Sequence, residues 1–151
     1  MAGDGFMFRF QKVLDLRDQQ ERALEIELAG IDEAVARCKD SLRRWQEARR
    51  ALLDQLADAR REGDWLEHAN CTAYLRHVRR QVGRHHADLD ALGLRRQAVR
   101  AELEGAMCSR KALENYRDKL NREFLHERER AEEKIIDLHS ARTYIRTEEA
   151  M

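Results

Sequence analysis

From Leu28 to Ala59 the apolar residues recur at alternating intervals of three and four: Leu28, Ile31, Val35, Cys38, Leu42, Trp45, Leu52, Leu56 and Ala59, with only Arg49 out of character. This spacing draws one apolar stripe along an α-helix and matches the a and d positions of a coiled coil. A second frame runs from Leu75 to Ile145, interrupted at His85, Arg96, Arg110, Arg117, Glu127 and Lys134. The two frames predict an all-α protein made of two long helices and little else.

Nothing in the composition opposes helices of that length. The 151 residues include no proline, so no missing N–H forces a kink or a stop. Charged residues make up 38% and aromatics 6%, with 29 basic against 29 acidic side chains. That balance suits helices with wet outer faces better than a compact globular core. The apolar residues stand at seam spacing, and no run reaches the roughly 18 residues that a bilayer span requires. The opening MAGDGFMFRF carries an early acid and lacks both a long apolar stretch and a small-residue cleavage site, so it does not read as a secretion signal. A cytoplasmic protein is the expectation. Cys38, Cys71 and Cys108 form no C-x-x-C pair and suit reduced thiols, Cys38 as a seam-filling side chain.

Glycine is the main punctuation left to the chain. Gly63 follows the helix-forming run ADARRE and precedes Asp64, which can cap a new helix with Glu67 three residues on. This places helix one at about 8–61, the turn at about 60–68 and helix two at about 68–146, within a single coiled-coil hairpin over residues 1–151. The frame crosses Gly30, Gly83, Gly93 and Gly105 without a change of phase, so these read as soft points within helices. Folding back near residue 64 sets residue i opposite about residue 128 minus i, with Leu28 near Val99. Helix two then outruns helix one by about 25 residues, roughly 37 Å at ~1.5 Å per residue, as an overhanging C-terminal helix. Asp18/Arg22, Glu33/Arg37, Asp40/Arg44 and Asp118/Arg122 stand at i, i+4 as surface ion pairs worth a few tenths of a kcal/mol each.

A two-helix hairpin offers no concavity in which polar groups converge away from water, and the motifs agree. His85 and His86 are adjacent and point to different sides of a helix, and no His-Glu-x-x-His spacing or Gly-rich phosphate loop occurs. The expectation is no catalytic residue, no metal site, no cofactor and no enzyme. Asn70-Cys71-Thr72 has the form of a glycosylation triplet, which a cytoplasmic protein leaves unmodified. Between Arg76 and Arg100, arginines at 76, 79, 80, 84, 95, 96 and 100 outnumber Asp88 and Asp90. This stretch is either a solvated face or a surface for an acidic partner. Nucleic acid fits poorly, because no stacking platform accompanies the arginines.

Phe6, Phe8 and Phe10 lie within five positions at an end that should fray. They either wait for a partner or pack on the opposite helix near Leu120 and Phe124. The run they open, Met7-Phe8-Arg9-Phe10-Gln11-Lys12-Val13-Leu14-Asp15-Leu16-Arg17, resembles the N-terminal signature of the FliJ family of flagellar export proteins. Tyr74-Leu75 after the turn and Lys111-Ala112-Leu113-Glu114-Asn115-Tyr116-Arg117-Asp118-Lys119 are similar to the same family's second helix and its C-terminal third. The likeness extends over essentially the whole chain. It departs at Ile135-Ile136-Asp137-Leu138-His139, where family members are often more acidic.

The resemblance implies a soluble part of the flagellar type III export apparatus, peripherally associated with the inner membrane and not inserted in it. It implies an antiparallel coiled coil similar to the central stalk of rotary ATP synthases. Such a stalk sits in the pore of the hexameric export ATPase, links it to the membrane export gate and handles export chaperones. By analogy, the end with both termini enters the ATPase, with Phe8, Phe10, Val13, Leu14, Leu138 and Ile145 as its candidate contacts. The hairpin end then faces the gate, through the turn-spaced row Leu42, Trp45 and Arg49 with Tyr74 and Val78 across from it. Trp45 keeps two readings: interface hot spot or core filler. A plain coiled-coil spacer or scaffold, and the equivalent stalk of an injectisome, stand as alternatives.

Overall fold

A computed structural model describes residues 5–150 of the protein. Met1–Asp4, the start of the segment that lacks a secretion-signal pattern, and Met151 lie outside the described residues. The protein is all-α: α1 spans Gln11–Glu62 and α2 spans Trp65–Glu149, with no strand among the described residues. No helix in that range is long and apolar enough to cross a membrane. The chain divides into two units, one of residues 21–105 and one formed by the N-terminal residues to 20 together with residues 106 onward.

The unit of residues 21–105 is an antiparallel helical hairpin. Its turn is set by local chemistry. Gly63 adopts φ 72°, a left-handed conformation that L side chains reach only at a cost. The Asp64 N–H donates back to the Ala59 carbonyl at 3.0 Å, closing α1 in the Schellman manner, and Arg60 and Arg61 complement the negative end of its dipole. The Asp64 carboxylate then accepts the Glu67 N–H at 3.0 Å as the N-cap of α2. Two residues thus stop one helix and start the next.

The core of this unit is one stripe deep. Leu42, Leu52, Cys71, Leu75, Val78 and Val82 form a buried cluster, with Trp45, Leu56 and Leu89 packed against it. Val78 and Val99 are fully buried, Ile31 is buried and Leu28 half-buried. Cross-helix contacts pair Gln55 with Cys71, Trp45 with His77, Cys38 with His85 and Glu27 with Arg95. Arg96 Nε also lies 2.7 Å from Asp32 Oδ1, an ion pair whose angles fall short of a hydrogen bond. These pairs run in opposite chain directions, as an antiparallel seam requires.

In the other unit the N-terminal segment lies along α2. The Gln11 N–H donates to the Phe8 carbonyl at 3.1 Å and the Leu14 N–H to the Phe10 carbonyl at 3.0 Å, starting α1. The Phe6 ring is 5.9 Å from Phe124, and Phe8 and Phe10 stand 6.2 Å and 6.4 Å from Tyr116. Every residue from Leu125 to Ala150 is exposed. Among the described residues aromatic contact with α2 ends at Phe124, and α2 continues for about 37 Å beyond it at ~1.5 Å per residue.

The surface pairs depart in part from the i, i+4 expectation. Glu33 and Arg37 meet at 3.6 Å. Asp40 instead takes Arg43 at 3.4 Å, and Asp118 takes its neighbour Arg117 at 3.3 Å. Exposed side chains at these spacings lie within a fraction of a kcal/mol of each other, so the shorter reach suffices.

Candidate functional site

Several places along the two helices carry groups that packing alone does not use. At the turn, the residues following the Asp64 cap present Trp65 and Leu66 at 71% and 74% exposure, with Trp65 edge-on to His68 at 6.0 Å. The three-four frame does not include them. Their signal in the sequence is an adjacent aromatic and aliphatic pair off the seam, directly after a helix cap.

Farther along the same unit, the structure brings Leu42, Trp45 and Val78 together in the core cluster and separates them from Arg49, which is exposed. Leu42 and Val78 are buried, Val78 completely, and so offer no surface as folded. Trp45 is half-buried, packed on the cluster with its ring edge-on to His77 at 5.6 Å. Tyr74 stacks on the same imidazole at 5.9 Å and remains 49% exposed. The accessible part of the row is therefore Arg49, Tyr74 and one face of Trp45.

The seam changes character where Cys38 meets His85. Cys38 Sγ lies 3.7 Å from His85 Nδ1 and donates to the His85 carbonyl oxygen at 3.4 Å. Asp88 completes a triad whose ligand-type atoms all lie within 4.8 Å of one another. Burial pushes the Cys38 thiol above its ordinary pKa, and the Asp88 carboxylate adds to the shift. Cys71 is raised likewise by burial, then by a hydrogen bond to Glu67 and by that carboxylate's charge. This triad runs against the expectation of no metal site: it is split across two helices and so has no spacing signature in the sequence.

The arginine-rich stretch is partly answered within the hairpin, since Arg95 pairs with Glu27 and Arg96 with Asp32. Both carboxylates come from α1, which narrows the surface left for an acidic partner.

In the unit that holds the N-terminal segment, Phe8 and Leu14 are buried, while Phe10 and Val13 remain 38% and 42% exposed. The phenylalanines pack on α2 at Tyr116 and Phe124, so the cluster mostly satisfies itself. Leu138 and Ile145 are 66% and 55% exposed, and Leu138 stands about 21 Å beyond Phe124 along the helix. Ile135, Ile136 and Tyr144 accompany them on the same bare stretch.

Two antiparallel helices joined by a tight turn, with apolar side chains exposed at the turn and along the end of α2, define a coiled-coil hairpin protein. The chain matches the family described as Flagellar FliJ protein over residues 6–149, nearly its full length, and it belongs to that family. Membership implies an export-stalk-type role in flagellar protein export. No curated protein and no solved structure matches the chain.

Proposed function

We propose that this protein is the central stalk of a flagellar type III export apparatus, seated in the hexameric export ATPase and stimulating it. The single observation that carries the proposal is the bare seam of α2. Ala131, Leu138, Ala141 and Ile145 continue the apolar frame of the hairpin onto a stretch of α2, from Leu125 on, whose residues are all exposed. Burying Leu138 and Ile145 is worth about 1.5–3 kcal/mol each before the costs of association, so the stripe gives a partner an apolar anchor. The phenylalanine cluster around Tyr116 then serves chiefly to hold the N-terminal segment on α2, leaving Phe10 and Val13 as the contacts it shares with the ATPase. Phe8 and Leu14 support that surface from beneath.

Toward the hairpin end, Arg49, Tyr74 and the open face of Trp45 form the surface for the membrane export gate, with Trp65 and Leu66 adding to it at the turn. Export chaperones are handled from the same cytoplasmic, peripherally attached position.

The test is ATP hydrolysis by the cognate flagellar export ATPase, titrated with the full chain and with a variant truncated before Leu14. Stimulation by the full chain, and its loss on truncation, supports the stalk. An unchanged rate with no co-sedimentation returns the protein to a coiled-coil scaffold. In that case the bare stripe pairs with a second copy, and sedimentation equilibrium finds a dimer.

A further inference from the structure

We propose that Cys38, His85 and Asp88 form a transition-metal site of the Zn²⁺ class that ties α1 to α2, with solvent completing the coordination. The ligands come from both helices. His85 and Asp88 stand at i, i+3 on one face of α2, and Cys38 reaches them from α1. Zn–S and Zn–N bonds of ~2.3 Å and ~2.0–2.1 Å place sulfur and nitrogen roughly 3.5 Å apart around a tetrahedral ion. The observed 3.7 Å between Sγ and Nδ1 is already close to that edge. Asp88 is exposed and its carboxylate is free to rotate inward, so the adjustment falls on the most mobile of the three ligands.

The donor set selects the metal. A thiolate with an imidazole favours Zn²⁺ and Co²⁺ over Mg²⁺ and Ca²⁺, which take oxygen ligands. The triad opens on a groove of about 430 Å³ that Ser41, Ala91 and Leu92 also line, giving a hydrated ion access and leaving room for the solvent ligand. Arg37 borders the groove, and its guanidinium is engaged by Glu33 at 3.6 Å.

The chemistry of loading is simple. The Sγ–H bond breaks, its proton leaves to solvent, and sulfur, the imidazole nitrogen and a carboxylate oxygen replace waters of the hydrated ion. Nothing is oxidised or reduced. In the metal-free protein the thiol S–H donates to the His85 carbonyl. Binding the ion therefore releases a proton. The site fixes the axial register of the two helices where a polar residue, His85, interrupts the apolar seam. Simple packing of a cysteine in a seam would need neither the imidazole nor the carboxylate.

The experiment titrates Co²⁺ into the reduced, tag-free full chain and follows the near-ultraviolet thiolate-to-cobalt charge-transfer band, then displaces the ion with Zn²⁺. The expected result is one cobalt per chain, a band that Zn²⁺ abolishes, and a higher melting temperature with Zn²⁺ present. Cys38→Ser should lose the band while Cys108→Ser keeps it. Asp88→Asn, at an exposed position that leaves helicity unchanged, should weaken cobalt binding roughly tenfold or more and remove the melting shift. Absence of the band in the unaltered chain overturns the proposal. So does a band that survives in Cys38→Ser, or an Asp88→Asn variant that binds as tightly as the parent.

Discussion

Two stretches of α2 carry one apolar spacing and meet opposite fates. From Leu75 to Phe124 every position of the three-four frame is buried or half-buried, including the polar intruders His85, Arg96, Arg110 and Arg117. From Glu127 to Ile145 the frame continues through Ala131, Leu138 and Ala141, and every position is exposed. The difference lies in the partner. Among the described residues, the ring contacts of the N-terminal segment reach α2 as far as Phe124. A heptad repeat specifies a face that can be covered, and only the length of the facing chain decides whether it is. The bare stretch stays helical because it elongates an existing helix and avoids the cost of nucleation, with the Arg128–Glu132 ion pair at 3.1 Å helping on its surface.

The sharpest way to break this comparison is to charge the covered stretch. Val78 has no exposed surface. Val78→Asp buries a carboxylate with no partner and should cost about 3–5 kcal/mol, enough to melt a hairpin with a single-stripe core. Thermal unfolding followed by circular dichroism reads the loss directly. A stable Val78→Asp variant would mean that the covered stretch tolerates water as readily as the bare one.

Next in size is the turn that gives the covered stretch its partner. Gly63→Ala places a Cβ at φ 72° and should lower stability by about 1–2 kcal/mol, although the added atom would meet no neighbour within 4 Å. Asp64→Ala removes the cap on the Glu67 N–H and should lower it by about 1 kcal/mol. Urea denaturation separates the two, and an unaffected Gly63→Ala variant would show that the turn relaxes freely.

What the sequence makes legible here is whatever is local or periodic. The seam from Leu28 to Ala59 is visible because helical periodicity is short-range. A glycine followed by an aspartate between two helical runs marks a stop and a start for the same reason. Features that depend on which residue faces which are harder to read. Trp45 and Arg49 both stand in the frame, yet one packs on the core and the other is exposed, and the frame alone cannot rank how deeply each turn is covered. Glu21 is buried, although its charge hides it from an apolar frame. The Cys38, His85 and Asp88 triad joins residues far apart in the chain, so no motif announces it. Trp65 and Leu66 stand out once the cap at Asp64 is taken as a boundary, because apolar residues off the frame then need another explanation.

A smaller effect of opposite sign sharpens the comparison within the covered stretch. Gly30 and Gly83 are exposed helical residues, and a Cβ at either would meet nothing within 4 Å. Gly30→Ala and Gly83→Ala should each stabilise the protein by roughly 0.5–1 kcal/mol, through the backbone freedom that glycine forfeits on folding. If denaturation midpoints do not rise, these glycines serve a close approach that the isolated chain does not display.

The smallest effect on stability belongs to the bare stretch, and there stability and function should separate. Leu138→Asp with Ile145→Asp removes apolar surface that touches no facing helix, so the unfolding free energy should move by no more than about 0.5 kcal/mol. The same pair of changes should abolish stimulation of the export ATPase, since charge on the stripe opposes its burial in the ring. A variant that melts like the parent and fails to stimulate would assign the uncovered half of the heptad frame to a partner. One that melts early would mean the stripe already packs within this chain, and one that stimulates normally would move the ATPase contact to Phe10 and Val13.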